Sequence, residues 1–482
     1  MLSAFAMPDI SPQIIVIAAA AALLILAARL HDRTHTAEDF LCARRRVSPR
    51  IGELSLAFTQ VPPWLLLAVA MLAYQSGATA TWVALAVWLG VAIGAIWIGP
   101  RVRKRAVAQN SYTLARLIDP DSGELLRKPI RRSIAGLVVL CLSLSIGVQL
   151  TWLTTQLASL VDTPQWLMLA CGAGTLLLCG LLGGLWAAAV TDAILAVAML
   201  GIGMIVAMAA FGAQGWSLPP LPLDGGELTR PAWQSQVLSS AFAVGISFLI
   251  GSAFTQPAAL SRYFAQHVDE RPRFPWLLLF WSMLALSVAL LLGWSARLQH
   301  DFADLPTLLT RWLPKKSAGQ LWTALLCAGV GAQLSNCVAM ASHFAHDWIG
   351  AREVPLSTQS LTRYRWGLAI CIAAACALSF ATGSEFDTLW FEWHALGAAF
   401  APLLLVRLSG KSVRPGSTLG SIWAGFALTT IFHAMPDTPG DLLERGLPFI
   451  VALGIALSGG ERRRNPDRAD RGERTVHDHL PI

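Results

Sequence analysis

The sequence predicts an all-helical membrane protein with about thirteen transmembrane helices, and three observations carry that prediction. Only 13% of the 482 residues are charged. Soluble domains carry about 25%, so a soluble chain of this length could not be coated. Mean hydropathy is +0.55. Apolar runs of about 20 residues, each long enough for a ~30 Å hydrocarbon core, recur from Gln13 to near Gly460.

In order, the spans run 13–30, 52–75, 79–99, 134–160, 165–183, 187–212, 236–257, 276–298, 319–345, 363–382, 388–407, 418–434 and 446–460. Arg29 and Arg33 follow the first span and no basic stretch precedes it. It therefore reads as an uncleaved anchor with its N-terminus outside, not a signal peptide. An odd number of helices places the C-terminus on the opposite side. Of the 36 Lys and Arg residues, all but Arg230, Arg297, Arg311, Lys315, Lys316 and Arg445 then fall inside. That asymmetry predicts a bacterial-type inner membrane protein, N-terminus periplasmic and C-terminus cytoplasmic. The net charge of +7 is thus topological, and no nucleic-acid partner is expected.

Between the spans, the longest outer segments are 213–235 and 299–318; the second is expected to hold a short interfacial helix. The charged tail, 461–482, is expected to be cytoplasmic and disordered. Cys141, Cys171, Cys179, Cys327, Cys337, Cys371 and Cys376 lie in apolar segments, leaving Cys42 in a loop. Neither a disulfide framework nor a metal site is expected, and no cofactor. No Walker A sequence is present, so the chain is read as neither an ATP-driven pump nor an enzyme.

The polar residues inside the spans locate the chemistry. Pro62 and Pro63 interrupt the second span about ten residues, or ~15 Å, from its start, near the midplane. Non-helical backbone there is tolerated facing protein or a water-filled cavity, and such broken helices form transporter sites. A kink without a ligand is the competing reading. On the fourth span Ser145, Gln149, Trp152, Gln156 and Ser159 follow helical spacing and share one inward face. That face fits a cavity or inter-helix hydrogen bonds equally well. The ninth span carries Gln333, Asn336 and His343 on one flank, with Ser335 and Ser342 beside them. A lone histidine there is more often a packing residue than a proton carrier. Asp192 in the sixth span, with Glu392 and His394 in the eleventh, are the ionisable candidates; solvated helix ends are their alternative.

Four stretches in this order resemble the sodium:solute symporter family. They are Asp39-Phe-Leu-Cys-Ala-Arg-Arg45, Gly183-Gly-Leu-Trp-Ala-Ala-Ala-Val-Thr-Asp192, Thr255-Gln-Pro with Ser261-Arg-Tyr-Phe264, and Trp393-His-Ala-Leu-Gly-Ala-Ala-Phe-Ala-Pro402 running on to Arg414-Pro-Gly416. The resemblance implies a LeuT-like core of two inverted five-helix repeats. On that basis the chain divides into 1–51 (first span and basic loop), 52–212 and 236–407 (the repeats), 408–460 (two further spans) and 461–482 (the tail). The broken second span and the seventh, with Gly245, Gly251 and Pro257, would flank the central site. The resemblance also implies a sodium ion between that break and a hydroxyl pair on the ninth span. Here Gly331 and Ala332 align with the hydroxyl pair, with Ser335 a turn beyond. Sodium coupling at that place is therefore expected to be absent or weak. Proton coupling through Asp192, or else Glu392 or His343, is the substitute.

The function read from these residues is secondary import of a small polar organic solute by alternating access, coupled to H+ or Na+. Thr59, Gln60, Gln149, Trp152, Gln256 and Gln333 are expected to line the site. The alternative is a non-transporting sensor on the same fold, signalling to a separate partner protein.

Overall fold

The computed structural model describes residues 10–77, 80–118, 124–213, 255–266, 274–298, 305–349, 360–378, 385–435 and 441–462. Most of the expected seventh span, including Gly245 and Gly251, lies outside them, as does most of the tail. Among the described residues eight helices are long and apolar enough to cross a membrane, nine when one bent pair counts as a single span. The chain is a multi-pass, all-helical membrane protein.

Helix α1 (Pro12–His31) leads into the short α2 (Ala37–Cys42). A capping box starts α2: Asp39 N–H donates to Thr36 Oγ1, and Thr36 N–H donates to Asp39 Oδ2 at 2.9 Å. Cys42 is buried in α2, and burial pushes its thiol up to about 12, leaving it protonated and inert.

The second span divides as its prolines require. α3 (Pro49–Gln60) stops at Val61, and α4 (Pro63–Ser76) restarts after Pro62 with an axis bent by 49°. Pro62 is extended (φ −70°, ψ 162°), and Pro63 takes the first helical position, where a missing N–H costs nothing. α5 (Ala80–Ile93) runs through a π-turn, Gly94–Ile98, into the basic α6 (Gly99–Ala108). After α7 (Leu114–Ile118) comes the long α8 (Glu124–Val161).

The fifth and sixth spans form one helical stretch, α9 (Gln165–Ala213), with no intervening loop. Gly184 turns the chain there at φ +47° and ψ −134°, which favours glycine. A Cβ at this position would also sit 2.9 Å from the Phe40 ring. Thr34 secures the corner by donating to the Gly183 carbonyl.

A second break follows the same chemistry. Gln256 is non-helical (φ −58°, ψ 122°), and α10 (Pro257–Ala265) starts on a proline with every residue buried. The remaining helices are α11 (Trp276–Leu298), α12 (Leu305–Trp312), α13 (Lys315–His343), α14 (Leu361–Leu378), α15 (Glu385–Leu408), α16 (Pro415–Ala434) and α17 (Asp441–Ser458). α12 falls in the outer segment where a short helix was expected. α13 continues through a π-turn to Ile349 and packs on α1, α8, α9 and α14. Two short strands pair antiparallel: β1 (Lys411–Val413), between α15 and α16, and β2 (Gly460–Arg462), after α17.

α11 crosses α4 at Gly293, where a Cβ would lie 2.1 Å from the Ala70 carbonyl oxygen. Backbone cannot yield as a side chain can. Gly293→Ala should therefore cost about 1–3 kcal/mol from overpacking, read as a lower melting temperature of the purified protein. Gly454→Ala, with nothing within 4 Å, should be neutral or stabilising by up to ~1 kcal/mol.

Candidate functional site

Two cavities lie side by side at the break in the second span. The polar one contains about 450 Å³ of empty space, counting its open part. It is lined by the end of α3 (Phe58, Thr59), the break (Pro62, Trp64), α8 (Ser145, Gln149), Gln256 and Ala258 at the second break, α13 (Ala332, Gln333, Ser335, Asn336) and α15 (Glu392, Trp393). The second cavity is apolar, contains about 960 Å³ on the same measure, and begins about a turn away along α4, α8 and α13. Pro63, Leu66, Trp152, Leu153, Trp322 and Gly329 belong to its wall.

An amide ladder orders the polar cavity. Gln333 Nε2 donates to Gln149 Oε1 at 3.0 Å, and Gln149 Nε2 donates to Ser145 Oγ at 3.1 Å. Helical spacing on α8 and α13 brings the two glutamines face to face, where each satisfies part of the other's demand. Thr59 Oγ1 instead folds back onto the Ser55 and Leu56 carbonyls, the usual way a hydroxyl is satisfied inside a helix.

Beside the cavity sits a closed ion-pair cluster. Arg262 on α10 and Asp192 on α9 have fully buried side chains 2.8 Å apart. Ser55 Oγ accepts from Arg262 Nε at 2.6 Å and donates to Asp192 Oδ2 at 2.9 Å. Ser335 Oγ likewise accepts from Arg262 and donates to Asp192 Oδ2 at 2.7 Å. Arg262 also donates to Ser261 Oγ at 3.0 Å. One carboxylate oxygen thus takes three charge-assisted or hydroxyl bonds, binding α3, α9, α10 and α13 together.

These positions correct several expectations. Gln60 is fully buried but turns toward the Tyr263 hydroxyl, away from the cavity lining. Trp152 stands in the apolar cavity, edge-on to Trp322 at 6.2 Å. Gly331 faces α9 and α1: its Cβ would meet Leu195 Cδ1 at 3.1 Å and Leu23 Cδ1 at 3.5 Å, so it cannot contribute to an ion site at the break. Asp192 is not a solvated helix end but the anion of the pair with Arg262. His343 is held at both nitrogens, by the Ala339 carbonyl at Nδ1 and the Leu114 N–H at Nε2. Because a backbone N–H can only donate, Nε2 accepts and the ring stays neutral: a packing histidine. Thr59, Gln149, Gln256, Gln333, Ala332 and Ser335 do meet around the polar cavity. Sequence reasoning did not place Glu392, Trp64 and Trp393 there.

No model of a known protein family matches the chain. Two curated relatives do. A high-affinity proline transporter, PutP, of Bacillus subtilis is 21% identical over 440 residues, covering 85% of this chain and 89% of its own length. A sodium/proline symporter of Escherichia coli is 23% identical over 479 residues, covering 89% and 91%. A solved structure of a Na+-coupled sialic acid symporter, substrate-bound and outward-open, superposes with a TM-score of 0.70 at 14% identity, covering 94% of this chain and 99% of its own. The chain has that symporter's fold, and the resemblance to sodium:solute symporters holds at low identity. All three are transporters rather than enzymes, which does not favour the sensor reading.

Proposed function

We propose that this chain, built on the fold of the sodium:solute symporters, is a secondary active transporter that takes a small organic solute into the polar cavity beside Pro62. The single observation carrying this reading is the meeting of two helix breaks, at Pro62 and Gln256, around one buried amide-lined cavity. Broken helices expose backbone groups that must be satisfied, and in a membrane a bound polar solute satisfies them. The two breaks fit the inverted repeats 52–212 and 236–407. The apolar cavity is the access route, its aromatic wall leading to the amides. The basic residues support an inner-membrane orientation with a periplasmic N-terminus.

Sodium does not drive this carrier through the region between the break and the ninth span. Gly331 faces elsewhere, Ala332 offers a methyl group, and Ser55 Oγ, Ser335 Oγ and Asp192 Oδ2 are engaged by the Arg262 guanidinium. A metal cation would have to compete with a covalently tethered one for the same ligands. Uptake into proteoliposomes at fixed pH should therefore change less than twofold when sodium is replaced by potassium. A steep sodium requirement would refute this part of the proposal, and no flux of any solute would refute the transport reading.

A further inference from the structure

Glu392 lies two turns into α15, is 1% exposed, and lines the polar cavity. Its surroundings lack a countercharge. Glu392 takes part in neither the Arg44–Asp39 nor the Arg262–Asp192 ion pair. None of the described lining residues is Lys, Arg or His. The neighbouring His394 turns its Nδ1 to the Trp390 carbonyl. In the sequence, residues 231–261 contain no charged residue and no histidine. The Gln256 amide is the hydrogen-bonding neighbour of the carboxyl, but Glu392 Oε1 and Gln256 Nε2 miss the geometry of a formed bond, and each has room for a ligand partner. An acceptor and a donor in such positions are costly unless a ligand completes them.

The walls suit one kind of ligand. Trp64 and Trp393 both line the cavity, with ring centroids 5.3 Å apart at 82°, and Trp390 braces Trp64 from another side at 5.3 Å and 89°. Indole faces attract cations through their quadrupole, most strongly where water is excluded. The α3 C-terminus, with Phe58 and Thr59 in the lining, adds the negative end of a helix dipole. The carboxyl and the paired indoles favour positive charge at one place, while the α4 and α10 N-termini, at Pro62 and Gln256 in the same lining, offset the α3 C-terminus.

We infer that Glu392, with Trp64 and Trp393, recognises a positively charged amine on the transported solute, making this a carrier of ammonium-bearing compounds. The inference rests on the transport reading above. A solute without an amine would leave the Glu392 carboxyl with no countercharge and gain nothing from it. A zwitterion is accommodated, since Gln256 Nε2 and the Gln333–Asn336 amides can face its acid group.

The test uses purified full-length protein and proteoliposomes, with L-proline, glycine betaine, choline and pyrrolidine as ammonium probes. Cyclopentanecarboxylate, the proline ring with carbon in place of nitrogen, and glucose are the controls. Wild-type protein should bind at least one ammonium probe, seen as a melting shift and quenching of tryptophan fluorescence. Its affinity for L-proline should exceed that for cyclopentanecarboxylate at least tenfold if proline is the probe bound. Glu392→Gln should weaken the bound probe at least tenfold and Glu392→Asp much less. Equal binding by wild type and Glu392→Gln overturns the inference, assigning Glu392 to proton transfer or packing. Should Glu392→Gln fail to fold, the wild-type preference for ammonium probes over the controls decides. If no ammonium probe binds folded wild type, the inference is overturned. Uptake of glucose or cyclopentanecarboxylate would then leave the transport reading standing, whereas no flux of any probe would remove that reading too.

Discussion

Arg262→Gln is expected to be among the most destabilising single substitutions in the protein, costing about 3–5 kcal/mol, because it strands the Asp192 carboxylate in a fully buried site. Asp192→Asn should cost a similar amount by stranding the guanidinium. Each single change also disturbs hydroxyls already oriented by the pair, since Ser55 and Ser335 accept from Arg262 and donate to Asp192. The double variant Asp192→Asn/Arg262→Gln removes both charges and should recover much of the loss, because replacing a buried pair by neutral groups is often close to neutral. Melting temperatures of the four proteins close a double-mutant cycle that measures the coupling directly. Additive losses would mean that the two residues act independently. The expected non-additivity would show that one cluster fastens α3, the first half of the broken span, to α9 and α13.

Gln149→Leu is expected to abolish most solute binding while the protein still folds. The substitution deletes the acceptor for Gln333 Nε2 and the donor to Ser145, turning one wall of the cavity apolar. The folding cost is about 1–3 kcal/mol for the unsatisfied partner. Solute affinity should fall at least tenfold, by fluorescence titration with whichever probe the wild type binds. Gln60→Leu gives the contrast. Gln60 is equally buried but lies against Tyr263, so its replacement should lower melting temperature and leave affinity within about twofold.

That contrast shows where sequence was informative and where it was not. The spans follow from apolar run length, and the break follows from Pro62-Pro63, because both depend on local chemistry alone. Gly184 replaced an expected loop with a kink, since one residue in a non-helical, positive-φ conformation joins the two helical segments directly. Which way a side chain faces depends on tertiary rotation, and there the reading faltered. Gln60 and Gln149 are the same residue type, both buried, and it is the azimuth of α3 at its end before the break that separates them. Gly331 and Ser335 are four apart, and Gly331 faces Leu195 while Ser335, at the cavity's edge, bonds Asp192; Ala332 and Asn336 line the cavity itself. Helical spacing records this partition, but aligning a hydroxyl pair by position obscured it. Glu392 was read as near a helix end because its span was started at residue 388. The helix starts at Glu385, which carries Glu392 deeper. Asp192 and Arg262 are 70 residues apart, and nothing local announces their pairing.

The central claim is that solute passes through the polar cavity at the helix break, and one measurement tests it most directly. Ala332 is half-buried in that lining and carries a side chain small enough to replace. Ala332→Cys should support uptake in proteoliposomes until treated with the thiol reagent methanethiosulfonate ethylammonium, which should then block flux. The wild type, whose exposed described cysteine is Cys171, should be unaffected. Saturating solute should slow the block several-fold by occupying the same space. Uptake that continues after complete modification of the variant would place the permeation path elsewhere and contradict the account.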